Sequence, residues 1–450
     1  MDIENFKDIT IRDRFWEDLK QDDRKHVHLV MIATKPDIIK QAPVYLEVKK
    51  RGELVLLGHT GQHYDFNLSG GLEEEFGIVP DFNLNIKGAL HEKIGQIIIR
   101  LGNLLAEMKK MGKVVIPYVH GDTMTAMAAS NAGFANEFAS VHVEAGIRTL
   151  TPKFSNFQFS ILNFQTLEDF SFENWREWLM DRNNWEQGSI EPYPEQFNTR
   201  ATEPATGLYC APVELVRGFL LSEGFRGDRI KVVGNSVYDA TKMAQANAAN
   251  STVFEKYPLL KEGFIRFCIH RRENCANRER FIAIFDAMEQ LVNEGENVLL
   301  ISLFQTKAAV EEFGLTERLE TMKQKPNFIC SDVWPYYTDV IVAMEKATVC
   351  ATDSGSMQEE MNILGVPCVT LRFGSDRSET IIAGANVIAP PTDGKLIATI
   401  IKSAKNHQGM KDVPNLYGEN VSAKIVDEVL ALIEKEPLFC FEQNRVKISN

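Results

Sequence analysis

Short apolar runs alternate with longer segments of helical apolar spacing over most of the chain. The first run, residues 26–32 (HVHLVMI), predicts a strand. Residues 36–50 follow with apolar positions at helical spacing. Strands and helices in this order predict a parallel sheet that is covered by helices on both sides. The same pattern predicts strands at residues 54–57, 114–119 and 140–143 and helices at residues 94–111 and 123–136.

The alternation stops at about residue 150. Residues 150–189 hold nine phenylalanine and tryptophan side chains and no repeating order of strand and helix. An apolar surface of that size has to be buried, so this segment is not a solvated linker. We expect it to be a lid, a packing arm or an oligomer contact.

The alternation resumes in the second half of the chain, which predicts a second α/β domain. The pattern places the boundary within residues 206–212 and a last helix at residues 422–434. We therefore expect an N-terminal domain at residues 1–207, which includes the aromatic segment, a second domain at residues 208–414, and a C-terminal segment at residues 415–450. The strands predicted here are residues 229–233, 264–270, 298–304, 348–352 and 368–371, and the helices include residues 278–293 and 357–364.

Composition narrows the class of protein. A chain of 450 residues exceeds what one hydrophobic core usually supports, which agrees with two domains. The formal net charge of -13 argues against a general nucleic-acid binder, because phosphate backbones select basic surfaces. The seven cysteines are scattered without a CxxC pair, so we expect reduced thiols in a cytoplasmic protein and no structural zinc site. We expect no signal peptide and no membrane segment, since no apolar run reaches the ~20 residues of a span.

Polar side chains follow the first two predicted strands, at the edge where open α/β sheets bind ligands. Lys35 and Lys40 follow the first strand beside a proline that favours a helix start, although two solvated lysines would give the same pattern. Gln62 and His63 follow the second strand in the turn TGQHYD, where polar residues are common. These four residues are candidates for binding a polar or anionic ligand.

Two carboxylates and a histidine stand at later strand ends. Asp122 lies within HGDT, where an N-cap of the next helix explains it as well as catalysis does. Glu144 ends the next strand beside a glycine, and glutamate is rarely buried alone, so it is either paired with Arg148 or chemically active. His270 opens the basic segment HRREN, where it could donate to a phosphate, act as an acid or base, or lie in a solvated turn.

The segment Asp-Ser-Gly-Ser at residues 353–356 is the strongest single motif. It follows a strand and opens a helix, so its small residues expose backbone N–H groups where a helix N-terminus favours an anion. Glu360 lies one turn further and is placed to accept from a ribose hydroxyl. Arg372 and Arg377 follow the next strand and add positive charge. The patterns GxGxxG and GxxxxGK[ST] are absent from the sequence, so NAD and ATP sites are not supported.

Nine short segments together carry a family resemblance over nearly the whole chain. In their residues and their order, the chain resembles the non-hydrolysing UDP-N-acetylglucosamine 2-epimerase family. The resemblance implies two Rossmann-like domains that face a cleft, as in glycosyltransferase-B enzymes, with the last helix crossing back to the first domain. The segments are ATKPDIIK, TGQHYD, HGDT, HVEAGIRT, PYPEQFN, VVGNSVYDA, HRREN, TDSGSMQEE and LRFGSDRSE.

The resemblance also implies a reaction, in which UDP-N-acetylglucosamine and UDP-N-acetylmannosamine interconvert by elimination of UDP to 2-acetamidoglucal and re-addition. It implies no metal, no redox cofactor and a homodimer. Asp122, Glu144 and Glu195 match the acid/base carboxylates, without a decision about which one takes the proton, and His270 matches a position at the diphosphate or leaving group. The implied substrate-binding residues are Lys35, Lys40, Gln62, His63, Arg272, Asn274, Ser354, Gly355, Ser356, Glu360, Arg372 and Arg377.

The sequence departs from the family pattern at positions that bear on nucleotide binding and on the identity of the sugar. Lys35 stands where the family has arginine, and Ser356 replaces a glycine. The aromatic segment lies between Glu144 and Glu195, so it bears on which UDP-2-acetamido sugar is bound. The open alternatives are a hydrolysing epimerase that releases N-acetylmannosamine and UDP, an epimerase of a related UDP-2-acetamido sugar, a glycosyltransferase of the same fold, and a non-enzymatic UDP-sugar sensor.

Overall fold

Two α/β units make up the protein, each with a mainly parallel sheet of its own, which confirms the predicted α/β class. The computed structural model describes residues 6–61, 69–153, 170–435 and Leu438. No helix within these described residues combines the length and the apolar character that a membrane span needs. Unit 1 is formed by the described residues of Met1–Ile147, Phe197–Ala240 and Tyr417–Asn450, and unit 2 by those of Arg148–Gln196 and Thr241–Leu416.

Unit 1 contains the larger sheet. Its strands are β1 (Thr10–Ile11), β2 (His26–Ile32), β3 (Val55–His59), β4 (Phe82–Asn83), β5 (Val114–His120), β6 (Ser140–Val143), β9 (Thr206–Ala211) and β10 (Ile230–Val232). They are ordered β1-β4-β3-β2-β5-β6-β9-β10; β1 and β4 pair antiparallel and the other neighbours pair in parallel. The carboxyl ends of β2, β5 and β6 therefore meet at one edge, where the predicted residues of unit 1 follow them.

The helix after β2 brings charged residues to that edge. Lys35–Lys50 begins with reciprocal hydrogen bonds between Thr34 and Asp37 and has Pro36 in its first turn. It packs against Val421–Lys435, the last helix of the described chain. The division between the units falls within the helices Glu195–Thr202 and Val237–Ala246. The other α-helices of unit 1 are Phe15–Gln21, Gly71–Phe76, Leu90–Lys110, Met124–Ala135 and Glu214–Ser222.

Unit 2 contains a six-stranded sheet. Its strands are β11 (Phe264–Cys268), β12 (Val298–Ile301), β13 (Phe328–Ser331), β14 (Ala347–Thr352), β15 (Cys368–Thr370) and β16 (Asn386–Ile388). They are ordered β13-β12-β11-β14-β15-β16, with every pair parallel. Cys268 pairs with Thr352, so the residues that follow β11 and β14 lie side by side. The α-helices of unit 2 are Phe172–Met180, Val253–Lys256, Arg272–Cys275, Arg278–Asn293, Phe304–Glu312, Thr316–Lys323, Tyr337–Met344, Gly355–Leu364, Ser378–Ile382, Gly394–Lys405 and Gln408–Lys411.

The described part of the aromatic segment packs on unit 2. β7 (Leu150–Pro152) and β8 (Trp185–Gln187) form an antiparallel pair, and the helix Phe172–Met180 packs against β16. Trp175 is buried, and its indole Nε1 donates to a carbonyl of β16 at 2.9 Å. The prediction of burial is confirmed for Trp175 and Trp185. Residues 154–169 of the segment lie outside the described residues.

The structure departs from the predicted boundaries in several places. Residues 208–240, which the sequence placed in the second domain, belong to unit 1. Arg148–Gln196 belongs to unit 2, although the sequence placed these residues in the N-terminal domain. Thr206–Ala211, where the domain boundary was predicted, is a strand inside the sheet of unit 1. The strand predicted at residues 298–304 ends at Ile301, because Phe304 already begins a helix.

Candidate active site

Glu144 has the most constrained geometry among the predicted carboxylates. It follows β6 with a backbone φ of 64°, in the left-handed region that costs a non-glycine residue about 1–3 kcal/mol. The residue is 2 % exposed. A Cβ atom added to Gly121 would lie only 3.2 Å from Glu144 Oε1, so glycine permits this close approach. Strain that is retained at a buried carboxylate marks Glu144 as a candidate reacting group.

Three side chains of unit 1 hold the Glu144 carboxylate. Lys40 forms an ion pair with it, and both side chains are 1 % exposed. Asn235 Nδ2 donates to Glu144 Oε2 at 2.5 Å, and His120 Nε2 lies 3.4 Å from the same oxygen. The fold thus brings together the predicted residues Lys40 and Glu144 from the ends of β2 and β6.

His120 links Glu144 to a second buried carboxylate. Its Nδ1 lies 3.0 Å from Asp37 Oδ1, and Asp37 Oδ2 accepts from the backbone N–H of Thr34. Burial opposes the charged imidazole, but the negative charges of Glu144 and Asp37 outweigh it and raise the pKa of His120 to about 9. At neutral pH His120 therefore carries a positive charge beside Glu144 and Asp37.

Asp122 follows β5 at the same edge of the sheet. Thr123, and not Asp122, caps the helix Met124–Ala135, since Thr123 Oγ1 accepts from the backbone N–H of Ala126 at 3.1 Å. The N-cap explanation for Asp122 is therefore wrong. Asp122 Oδ2 is buried and has no hydrogen-bond partner within the described part of the chain, as expected of an oxygen that a ligand would satisfy.

Lys35 supplies a further titratable group to unit 1. The side chain lies in the first turn of the helix that also carries Lys40. Burial lowers the pKa of Lys35 to about 8, against the opposing effect of Glu75. An anionic ligand near this ammonium group would favour its charged form.

Asp353 organises the predicted residues at the end of β11 in unit 2. Its buried carboxylate accepts from the backbone N–H groups of His270 and Arg271, both at 3.0 Å, and from Asn274 Nδ2 at 3.1 Å. His270 Nδ1 lies 3.1 Å from Asp353 Oδ1. The register of β11 and β14 makes these contacts possible, and they fix the orientation of the His270 ring.

The ion pair between His270 and Asp353 predicts a pH-dependent stability. Burial opposes the charged ring, but Asp353 outweighs it and raises the pKa of His270 from 6.5 to about 10. A raised folded-state pKa stabilises the protein fully below about pH 6.5, and this stabilisation is lost as the pH rises through about 10. The difference in unfolding free energy between the wild type and His270→Gln should therefore shrink across this interval in urea unfolding.

His28→Gln is the matched control for this pH series. His28 is also buried, but burial lowers its pKa to about 4, so it is neutral throughout the interval. The difference in unfolding free energy between the wild type and His28→Gln should stay constant between pH 6.5 and 10. If the difference in unfolding free energy between the wild type and His270→Gln is also independent of pH in this interval, the charged pair of His270 and Asp353 does not form.

Glu195 is held in unit 2 by the segment that follows β11. It opens the helix Glu195–Thr202 and forms an ion pair with Arg271. The residues before it are tied to the same segment, since the backbone N–H of Tyr193 donates to Glu273 Oε1 at 2.8 Å. Arg272, a predicted binding residue, stacks over the Tyr193 ring with its Cζ 5.9 Å from the ring centre. The third predicted carboxylate is therefore paired with the residue that follows His270 in the chain.

An arginine cluster stands at the start of the helix Gly355–Leu364. Arg372 Nη1 lies 2.8 Å from Asp376 Oδ1, and Arg377 Nη1 and Arg271 Nη2 lie 3.6 and 3.8 Å from Asp376 Oδ2. The three arginines hold the pKa of Asp376 well below its usual value, although burial opposes this. A Cβ on Gly355 would lie 3.2 Å from Asp376 Oδ2 and 3.4 Å from Arg377 Cζ. Arg377 also forms an ion pair with Glu359. The arginines and their carboxylate partners thus lie beside a helix N-terminus, where arginine side chains and backbone N–H groups can bind phosphate.

The helix itself starts at Gly355, two residues before the predicted start at residue 357. Ser354 is the N-cap, and Gly355 and Ser356 are its first two residues. Glu360 lies in the second turn, is 4 % exposed, and accepts a hydrogen bond from Tyr337 Oη at 2.9 Å. The Glu360 carboxylate therefore lies about one turn along the helix from the backbone N–H groups at its N-terminus.

Sequence reasoning missed several residues that organise both sets of predicted groups. Most of them lie within the motifs that carry the resemblance, beside residues that were predicted, whereas Tyr337 lies outside all of them. Gln62 and His63 fall outside the described residues. Within the described ranges no cluster of three or more His, Cys, Asp or Glu side chains is arranged to hold a metal ion. The residues missed are Asp37, His120, Asn235, Arg271, Tyr337, Asp353 and Asp376.

Known proteins match this chain over most of its length. The family model described as UDP-N-acetylglucosamine 2-epimerase matches residues 46–154 and 186–431, and the gap between them lies in the aromatic segment. A UDP-N-acetylglucosamine 2-epimerase of Methanocaldococcus jannaschii is 28 % identical over 408 residues, which cover 89 % of this chain and 98 % of the relative. A UDP-2,3-diacetamido-2,3-dideoxy-D-glucuronate 2-epimerase of Pseudomonas aeruginosa is 25 % identical over 412 residues, which cover 90 % and 99 %.

A solved structure of a 2-epimerase is also similar to this chain over most of its length. The crystal structure of Methanocaldococcus jannaschii UDP-GlcNAc 2-epimerase in complex with UDP-GlcNAc and UDP superposes with a TM-score of 0.74. It is 26 % identical and covers 90 % of this chain and 99 % of its own. The fold is therefore the glycosyltransferase-B-like fold that the resemblance implied.

Proposed function

The chain belongs to the UDP-N-acetylglucosamine 2-epimerase family, and on that premise we propose that it interconverts UDP-N-acetylglucosamine and UDP-N-acetylmannosamine. The buried Glu144, strained in its backbone and held by Lys40, Asn235 and His120, is the observation on which the proposal rests. A fixed and desolvated carboxylate is what removal of a weakly acidic C–H proton requires.

The proposed reaction is an elimination followed by an addition. A carboxylate takes the proton from C2 of the sugar, the C2–H electron pair forms the C1–C2 double bond, and UDP leaves C1 with the C–O pair. The intermediate is 2-acetamidoglucal. An acid then protonates C2 on the opposite face while a UDP oxygen bonds to C1 again. Nothing is oxidised or reduced overall, so the scheme requires no redox cofactor.

Asp122 and Glu144 are the acid/base groups that unit 1 contributes. The neighbouring Lys40 and charged His120 favour the ionised form of Glu144, which is the form that accepts a proton. The buried oxygen of Asp122, unsatisfied by any described residue, suits a carboxylate that exchanges a proton with the substrate. Glu195, held by Arg271, is the acid/base group of unit 2.

The groups of unit 2 suit the departing UDP. The helix N-terminus at residues 354–356 and the arginines Arg372 and Arg377 provide N–H donors and positive charge for the diphosphate. His270, charged through Asp353, can stabilise the leaving group. Glu360 accepts from the ribose in this proposal.

Proton NMR in deuterated water tests the mechanism. Purified protein without added metal or NAD is expected to equilibrate the two UDP-sugars and to place deuterium at C2, because the C2 proton exchanges with solvent through the carboxylates. Epimerised product without deuterium at C2 would exclude the elimination mechanism. Accumulation of free N-acetylmannosamine and UDP would instead identify a hydrolysing epimerase.

A related UDP-2-acetamido sugar is the second candidate substrate. The aromatic segment, which the family model leaves unmatched, lies between Glu144 and Glu195 in the chain, and the relative from Pseudomonas aeruginosa is named for a diacetamido sugar acid. The same NMR assay with UDP-2,3-diacetamido-2,3-dideoxy-D-glucuronate separates the two substrates by their relative kcat/KM. An acceptor-dependent transfer of the sugar would support a glycosyltransferase, and binding without turnover a sensor.

A further inference from the structure

A buried chain of hydroxyl groups ends on Glu360 in unit 2. Tyr337 Oη donates to Glu360 Oε1 at 2.9 Å, and Thr241 Oγ1 lies 3.2 Å from Tyr337 Oη. Since the tyrosine gives its one proton to the carboxylate, the Thr241 hydroxyl is the donor in the second contact. Thr241, Tyr337 and Glu360 are 0 %, 2 % and 4 % exposed, so water does not compete for these bonds.

The hydrogen bond between Tyr337 and Glu360 joins two different helices. Tyr337 opens the helix Tyr337–Met344, and Glu360 lies in the second turn of Gly355–Leu364. Burial and the charge of Glu360 raise the pKa of the Tyr337 hydroxyl well above its usual value, so it stays a donor. The position of the Glu360 carboxylate therefore depends on a residue outside its own helix.

We propose that Tyr337 is a positioning residue that fixes Glu360 for hydrogen bonding to the ribose of the nucleotide, and so sets the preference for a ribonucleotide over a deoxyribonucleotide. This inference rests on the proposed function, in which UDP binds unit 2. A carboxylate accepts several hydrogen bonds, so Glu360 can receive a ribose hydroxyl while Tyr337 holds it. A ligand without that hydroxyl makes one hydrogen bond fewer to the buried carboxylate and binds more weakly.

Isothermal titration calorimetry of the full chain with UDP, 2′-deoxy-UDP and 3′-deoxy-UDP tests the inference. The wild type is expected to bind UDP about tenfold more tightly than at least one deoxynucleotide, as the loss of a hydrogen bond to a charged group implies. In Tyr337→Phe the affinity for UDP should fall about tenfold while that for the deoxynucleotide hardly changes. The ratio of the affinity for UDP to the affinity for the deoxynucleotide then approaches one. In turnover assays of this variant, KM should rise while kcat stays nearly constant.

Two further variants separate positioning from packing. Thr241→Val removes the donor to the Tyr337 hydroxyl and should lower the same ratio by a smaller factor. Tyr257→Phe removes another hydroxyl of unit 2, which lies 2.8 Å from Ser331 Oγ, and should leave the ratio of the two affinities unchanged. Equal weakening of UDP and deoxynucleotide binding in Tyr337→Phe, or an unchanged ratio, would overturn the inference.

Glu360→Gln distinguishes failure of the inference from failure of the proposed function. If Glu360→Gln removes the preference for UDP and Tyr337→Phe does not, Glu360 contacts the ribose without help from Tyr337, and only the inference is wrong. If neither variant changes the preference, Glu360 does not contact the ribose, and the nucleotide site proposed for unit 2 is wrong as well.

Discussion

Replacing Glu144 by glutamine is expected to lower kcat about 10²–10⁴-fold, the range that a positioned acid or base contributes. The amide keeps the size of the side chain but cannot accept the proton from C2. Binding of UDP should persist, because the groups proposed for the nucleotide belong to unit 2. The rate is measured by NMR as interconversion of the two UDP-sugars, and UDP binding by calorimetry.

Glu137→Gln is a matched control for this variant. Glu137 also has a left-handed backbone, with φ 64°, and pairs with a lysine, Lys109, but its side chain is 63 % exposed. Its replacement should leave kcat unchanged, since neither strain nor an ion pair alone makes a glutamate catalytic. A Glu144→Gln variant with a rate close to that of the wild type would show that another carboxylate takes the proton.

The fold could be predicted where an apolar run is long and clearly bounded. β2 and β6 were predicted to the residue. Every side chain in them except His26 is buried, and a charged residue adjoins each strand, Lys25 before β2 and Glu144 after β6. β9 was taken for a domain boundary, since its sequence TGLYCA contains no long apolar run although five of its six residues are buried. β13 and β16 were not predicted. β16 has only three residues, and β13, which is as long as β6, buries only two of its four residues.

The aromatic segment shows a different limit of sequence reasoning. Its composition predicted that it is buried, which holds for Trp175 and Trp185. Its packing partner could not be predicted, because Trp175 bonds to a carbonyl of β16 that lies 213 residues away in sequence. Contacts of that separation depend on the completed fold, and they place the described part of the segment in unit 2 and not in the first domain.

Motif order located Glu144, but not the groups that control its charge. His120 and Asp37 are 83 residues apart, and only the pairing of β2 with β5 brings their elements together. The choice between Asp122 and Thr123 as the helix cap was also beyond the sequence, because both residue types cap helices well. The fold assigns the cap to Thr123, and so removes the structural explanation for Asp122.

Lys40→Met is expected to destabilise unit 1 by about 3–5 kcal/mol, the usual cost of removing one partner of a buried ion pair. Lys40 and Glu144 are both 1 % exposed as side chains, so the remaining carboxylate cannot be solvated by water. His120 still faces Glu144, but Asp37 shares its positive charge. Urea unfolding followed by hydrogen exchange of peptides from unit 1 measures the loss.

Lys50→Met provides the control, because it removes a lysine from the same helix whose side chain is 75 % exposed in its ion pair with Glu47. An exposed pair of this kind contributes about 0–1 kcal/mol, so this variant should unfold like the wild type. Adding Glu144→Gln to Lys40→Met should restore part of the lost stability, because the double variant no longer buries an uncompensated charge. If Lys40→Met were no less stable than Lys50→Met, the energy that keeps Glu144 in its left-handed backbone would have to come from packing and not from the buried charges.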